Sequence, residues 1–114
     1  MKKQHDSIRP IVWKDDHLRL LDQRILPADY KFVPYHDVRD VADAIRDMVV
    51  RGAPAIGITA AYGIVLAARN RYAQKAENWL EAMQEDLDYL AASRPTAINL
   101  FWAIDRMKAV CANI

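Results

Sequence analysis

The feature that most constrains this chain is an uncharged run of 17 residues between Arg51 and Arg69. The run extends from Gly52 to Ala68, so a helix formed here would carry no charged side chain on any face, which is typical of a helix buried inside a domain. Its length lies at the lower limit for a membrane span, and its glycines, proline and threonine dilute its hydropathy. The sequence therefore predicts a buried central helix and no membrane segment.

Composition limits the classes of protein to which the chain can belong. With 114 residues, 53% of them hydrophobic, the chain is long enough to form one globular domain around its own core. Its 16 basic and 15 acidic side chains give a net charge of +1, which creates no broad field for nucleic acid or a membrane surface. No apolar leader follows Met1, and Cys111 has no partner for an internal disulfide. We therefore expect a cytoplasmic protein.

Residues 1–36 have the pattern of a small sheet. Short apolar runs at Ile8–Trp13, Leu18–Asp22 and Tyr30–Tyr35 are separated by turn-forming residues. The simplest arrangement is an antiparallel meander, in which Pro34 favours an edge position for the third strand because proline has no N–H to donate.

Residues 37–114 have a helical pattern instead. The first segment has one apolar face with a helical period, formed by Val38, Val41, Ala42, Ile45, Met48 and Val49. Three further helices are predicted at about Pro54–Ala68, Ala73–Ala91 and Ala97–Cys111. The predicted fold class is therefore α+β, with an N-terminal antiparallel β-meander followed by a bundle of about four helices.

Two of the predicted helices begin directly after an arginine, in Arg51-Gly52-Ala53-Pro54 and in Arg94-Pro95. A helix start offers free N–H groups and partial positive charge, glycine lets a ligand approach the backbone, and arginine binds phosphate oxygens in pairs. An ordinary interpretation also fits: Gly52 ends one helix, Pro54 begins the next, and both arginines are solvated. The spacing alone leaves both interpretations open.

Other reactive side chains do not form a site in the sequence. His5, His17 and His36 have no cysteine or carboxylate at the spacing of a metal site, so no metal is expected. Cys111 lies on an apolar helical face, which is typical of an inert core thiol. No catalytic residue is therefore assigned within the chain.

Two longer motifs identify a resemblance. The segments Arg51–Ile58 and Ala60–Gly63, followed by Ser93–Ala103, closely resemble the methylthioribose-1-phosphate isomerase family. Arg9–Trp13 and Leu20–Gln23 are similar to the start of the same family, so the likeness covers essentially the whole chain.

The resemblance implies an aldose–ketose isomerase of methionine salvage that converts 5-methylthioribose 1-phosphate to 5-methylthioribulose 1-phosphate without a cofactor. It implies that Arg51, Gly52, Ala53 and Arg94 contact the substrate, a small sugar phosphate. The family's catalytic cysteine and aspartate belong to a C-terminal Rossmann-like domain that this sequence lacks, and Cys111 does not match that cysteine.

We therefore expect residues 1–114 to be the N-terminal domain of the isomerase, inactive alone and homodimeric when full-length. Two alternatives stay open. One is a regulatory or assembly module like the related subunits of the translation-initiation exchange factor, and the other is a ribose-bisphosphate isomerase of the same superfamily.

Overall fold

Three short strands form one antiparallel sheet at the start of the chain. The computed structural model describes residues 10–25, 28–74, 77–94 and 97–113. The strands are β1 (Ile11–Lys14), β2 (His17–Leu21) and β3 (Phe32–Tyr35), in the spatial order β1-β2-β3, with a short 3-10 helix at Gln23–Ile25. Both strand pairs are antiparallel, as the meander predicts.

The alternation of side chains along β2 explains how the sheet joins the core. Leu18 and Leu20 are completely buried, whereas Arg19 between them is exposed. Pro34 lies opposite Arg19 on β3, at the edge of the sheet, as expected for a residue that cannot donate to a further strand. Ile8 and Arg9, which the sequence places in the first strand, lie outside the described residues.

Four helices follow the sheet: α1 (Val38–Arg46), α2 (Ala53–Gln74), α3 (Trp79–Ala92) and α4 (Ile98–Ala112). Helix α2 is central, because it packs against each of the other three helices and against strands of the sheet. These elements confirm the predicted α+β class, with a small meander followed by four helices. None of the helices in the described part of the chain is both long enough and apolar enough to cross a membrane.

The central helix is longer than predicted. The sequence places its end at about Ala68 and the next helix from Ala73, whereas α2 continues to Gln74 and α3 begins only at Trp79. The end of the uncharged run was the wrong criterion, because no glycine or proline follows it to stop the helix. The polar residues beyond the run extend α2 past the core surface.

An ion-pair cluster near the end of α2 links helices α1, α2 and α3. Arg71 donates to both carboxylate oxygens of Asp86 on α3, at 2.9 and 3.1 Å, and Arg39 of α1 approaches the same carboxylate at 3.5 Å. Asp86 is only 4% exposed, so its charge depends on these guanidinium groups for compensation. The sequence patterns did not predict this cluster.

Helix α1 buries most of its predicted apolar face, but Met48 departs from it. Met48 has φ = 68°, in the left-handed region, and its side chain is 43% exposed. The Val49 N–H donates to the Ala44 carbonyl at 3.0 Å and the Met48 N–H to that of Ile45 at 3.3 Å, which is the paired pattern that ends many helices. Met48 therefore occupies the helix-ending position usually held by glycine, and its side chain is turned away from the core.

The central helix is also less completely covered than its composition predicts. Ile56, Ala60 and Ile64 are buried, but Ile58 is 51% exposed. Ile58 and the neighbouring Trp102 of α4 line a groove of about 360 Å³ between the two helices. Part of the apolar surface of α2 therefore faces outward.

Candidate functional site

The starts of α2 and α4 open into one cleft of about 590 Å³. All four residues that the resemblance marks as substrate contacts line it, and five further residues complete the wall. The complete lining is Met48, Arg51, Gly52, Ala53, Ile56, Arg94, Ala97, Ile98 and Asn99. The fold thus brings together two arginine motifs that are far apart in the sequence.

Helix α2 begins at the cleft without a side-chain cap. The Gly52 carbonyl accepts the first helical hydrogen bond, from the Ile56 N–H at 3.0 Å, so Gly52 is the capping residue. Glycine has no side chain to accept from the free N–H groups of the first turn, whereas Asp37 at the start of α1 accepts from the Arg39 N–H at 2.8 Å. Gly52 has φ = +95° and is exposed, so the backbone at this helix start is open to a ligand.

One part of the ordinary interpretation is wrong: Gly52 does not end the preceding helix, since α1 ends at Arg46 and Met48 takes the glycine position there. Its other part, a solvated Arg51, agrees with the exposure of that residue. Anion binding at Gly52 therefore stays a prediction.

Helix α4 begins in the same way. Ala97 is its capping residue and accepts from the N–H groups of Leu100 at 3.1 Å and Phe101 at 3.3 Å, and no side chain caps the helix. The Ala97 N–H in turn donates to the Arg94 carbonyl at 2.9 Å, which closes a turn just before the helix. Pro95 and Thr96 of the motif lie outside the described residues. A second uncapped helix start therefore faces the cleft.

The charge of the cleft is entirely positive. Arg51 and Arg94 are its only charged side chains, and neither forms an ion pair with a carboxylate among the described residues. Four arginines outside the cleft are paired: Arg24 with Asp22, Arg39 and Arg71 with Asp86, and Arg46 with Asp47. Arg19, Arg69 and Arg106, like the two cleft arginines, form no such pair among the described residues. The Arg46 pair is close enough to hold the pKa of Asp47 below its usual value. An anion in the cleft would therefore meet two guanidinium groups that no carboxylate neutralises.

Close packing of α2 on α4 holds the two helix starts together. A β-carbon built at Gly57 would lie 3.4 Å from the Asn99 carbonyl oxygen, so the two backbones approach closely at this point. Asn99 lines both the cleft and the groove beside Ile58. Gly57 is one turn beyond Ala53, so this contact fixes the first turn of α2 against α4.

Sequence reasoning missed the five residues of the cleft wall that the resemblance does not mark, Met48, Ile56, Ala97, Ile98 and Asn99. Periodicity placed Met48 in the core, and it gives no sign that a helix ends two residues earlier. Asn99 offered the one usable signal, as a polar residue at the start of an otherwise apolar helix.

The remaining reactive side chains are not gathered at the cleft. His17 and His36 pack ring against ring at 4.7 Å, near the sheet, and His5 lies outside the described residues. Cys111 is buried near the end of α4, and its burial raises the pKa of the thiol. Within the described ranges, no group of three or more His, Cys, Asp or Glu side chains is placed to hold a metal ion.

Two curated relatives of the chain share a name. The chain is 58% identical over 107 residues to a protein of Alkalilimnicola ehrlichii called methylthioribose-1-phosphate isomerase, covering 94% of this chain and 31% of that protein. It is 54% identical over 109 residues to the protein of the same name from Azotobacter vinelandii, covering 96% of this chain and 30% of that one. The chain therefore spans less than a third of the length of these curated relatives.

Solved structures share the fold. A crystal structure of 5-methylthioribose 1-phosphate isomerase from Pyrococcus horikoshii OT3 matches 92% of this chain and 30% of its own, with a TM-score of 0.84 and 38% identity. The translation initiation factor eIF-2B, subunit delta, from A. fulgidus matches 93% of this chain and 31% of its own, with a TM-score of 0.83 and 42% identity.

A family-level comparison agrees with these individual likenesses. The sequence model of the Initiation factor 2 subunit family matches residues 49–114, which include both arginine motifs and helices α2 to α4. That match covers more than half of the chain. The chain therefore belongs to the Initiation factor 2 subunit family.

Proposed function

We propose that residues 1–114 are the N-terminal, substrate-contacting domain of a longer aldose–ketose isomerase acting on 5-methylthioribose 1-phosphate. The observation that carries the proposal is the cleft, in which Arg51 and Arg94 meet two uncapped helix starts and no carboxylate. The names of the similar proteins supply the substrate. We also propose that the full-length protein is a cytoplasmic homodimer. The net charge of +1 on these 114 residues supports the further proposal that this domain binds no nucleic acid.

In this proposal the cleft holds the phosphate of the substrate. The guanidinium groups of Arg51 and Arg94 donate to its oxygens, and the N–H groups next to Gly52 and Ala53 add hydrogen bonds at the positive end of α2. A fixed phosphate would orient the sugar carbons between which hydrogen is transferred, and the cleft wall would shield part of the sugar from water.

The proton transfer itself needs groups from elsewhere in the longer protein. Isomerisation between the first two carbons of a sugar requires a positioned acid or base. Among the nine residues that line the cleft, only the two arginines are ionisable, and arginine stays protonated at neutral pH. The proposal therefore gives this domain a binding role and predicts that the 114-residue chain alone does not turn over substrate.

Steady-state kinetics of the full-length protein test the proposal. Arg51→Gln and Arg94→Gln should each lower kcat/KM for methylthioribose 1-phosphate about 10- to 100-fold, because each removes a charge-assisted hydrogen bond to phosphate. Arg19→Gln is the matched control, since Arg19 is exposed on β2 and does not line the cleft. Wild-type levels of kcat/KM in both cleft variants, or the absence of isomerase activity in the full-length protein, would refute the proposal.

A further inference from the structure

The cleft has an apolar rim beside its two arginines. Ile98 at the start of α4 is 80% exposed, and Met48 at the end of α1 is 43% exposed. Both line the cleft, and the buried Ile56 lies in the wall with them. Single exposed apolar residues are common on proteins, but these two border the same cationic cleft.

The backbone conformation at residue 48 places the Met48 side chain at the rim of the cleft. A φ of 68° is unfavourable for a non-glycine residue, and glycine is the usual residue at such a helix end. Met48 therefore has a long, polarisable side chain at a position where the backbone conformation favours glycine. The helix-ending hydrogen bonds from Met48 and Val49 fix that backbone, so the side chain is held toward the outside of α1 and the cleft.

A ligand that fills the cleft would meet two different environments. An anionic group is stabilised at Arg51 and Arg94, whereas a substituent against Met48 and Ile98 loses water and gains apolar contacts only. A volume of about 590 Å³ lies within the range of small-molecule sites, so both environments are available to one sugar phosphate. A hydroxyl or a second phosphate at the rim would give up its hydration without a hydrogen-bonding partner from these side chains.

Resting on the proposed function, we infer that Met48 and Ile98 are specificity-determining residues that recognise the S-methyl group of the substrate. They select a thioether substituent over a hydroxyl or a phosphate at the sugar carbon farthest from the bound phosphate. Their role is selection of substrate, and neither side chain takes part in proton transfer.

A comparison of two substrates in the full-length enzyme tests this inference. Ribose 1-phosphate carries a hydroxyl in place of the methylthio group. The kcat/KM for methylthioribose 1-phosphate divided by the kcat/KM for ribose 1-phosphate therefore measures recognition of that group. Met48→Asn and Ile98→Ser should each lower this ratio about tenfold, as expected for losing one apolar contact with the substrate. The kcat/KM for ribose 1-phosphate itself should not fall.

The variants are chosen to keep the fold. Asparagine tolerates positive φ better than other non-glycine residues, so Met48→Asn removes the thioether without adding backbone strain. Val110→Ser is the control, because Val110 is also exposed on α4, at 50%, and is absent from the cleft lining. If Ile98→Ser does not fold, Met48→Asn tests the inference alone, with thermal unfolding as the check on its structure.

The possible outcomes test the specificity role of Met48 and Ile98 separately from the proposed isomerase function. An unchanged substrate ratio in folded variants, or an equal loss for both substrates, overturns the specificity role while the isomerase function stands. A wild-type full-length protein that turns over neither sugar phosphate overturns the proposed function and the specificity role with it.

Discussion

Gly52 connects the stability of the chain to its candidate site, and Gly52→Ala should destabilise the fold through the backbone alone. A β-carbon built at Gly52 meets no atom within 4 Å, so the substitution creates no clash. The cost comes from φ = +95°, a conformation that L side chains rarely adopt and that carries a penalty of about 1–3 kcal/mol.

The expected change in melting temperature follows from chain length. An unfolding entropy of about 2.1 cal/mol/K per residue gives roughly 0.24 kcal/mol/K for the 114 residues. A penalty of about 1–3 kcal/mol therefore lowers Tm by roughly 4–12 °C. Thermal unfolding followed by far-ultraviolet circular dichroism resolves a shift of this size.

Two further variants test whether the loss of stability in Gly52→Ala comes from its positive φ and not from replacing a glycine in general. Gly57→Ala places a methyl group inside α2 in ordinary contact, 3.4 Å from the Asn99 carbonyl oxygen, and gains about 0.5–1 kcal/mol of helix propensity. Its Tm should stay the same or rise. Gly52→Asn should recover part of the loss, because asparagine tolerates positive φ. A Gly52→Ala protein as stable as wild type, or a Gly52→Asn protein less stable than Gly52→Ala, would refute the reasoning.

Two further predictions concern buried carboxylates. Asp86→Ala leaves Arg71 and Arg39 without their shared partner and should lower the free energy of unfolding by about 1–3 kcal/mol, discounted for the partial exposure of both arginines. Urea unfolding measures this loss, and a change near zero would mean that the cluster contributes no net stability. Hydrogen bonds from Arg24 hold the pKa of Asp22 below its usual value, so the stability they provide is present above about pH 4 and is lost at lower pH. Below that pH the unfolding free energy of wild type should fall more steeply than that of Asp22→Asn, and parallel curves would contradict the assignment.

Local patterns predicted the type and order of the three strands and four helices, but not the boundary between α2 and α3. The short apolar run at Leu18–Asp22 predicted a strand, and the helical period from Val38 predicted the buried face of α1. Such patterns succeed because a strand or a surface helix buries one face, and the spacing of its apolar residues records which face that is.

The exposure of Met48 and the ion pairs of Asp86 could not be predicted from local patterns. The spacing of Met48 fits the apolar face of α1, and only the hydrogen bonds that end the helix turn it outward. Asp86 resembles a solvated residue until Arg71 and Arg39 approach it from two other helices. In both cases the outcome depends on contacts that are distant in the sequence or on a backbone conformation that composition does not reveal.

The resemblance named four of the nine residues that line the cleft, and the cleft itself was not predicted. Helix starts after Arg51 and Arg94 were predicted from the sequence, and the motifs that contain them carry the resemblance. Their convergence depends on how α2 packs against α4, with the close approach at Gly57. Neither that packing nor the apolar rim of the cleft follows from local sequence patterns, because both depend on contacts between residues far apart in the chain.

The central claim is that the two arginines form one phosphate site, and titration of the full-length protein with inorganic phosphate in a calorimeter tests it most directly. Arg51→Gln and Arg94→Gln should each weaken phosphate binding about tenfold, since each removes one of two charged partners of the same anion. Arg19→Gln should bind phosphate as wild type does. Unchanged affinity in either cleft variant, or equal weakening in all three variants, would contradict the claim.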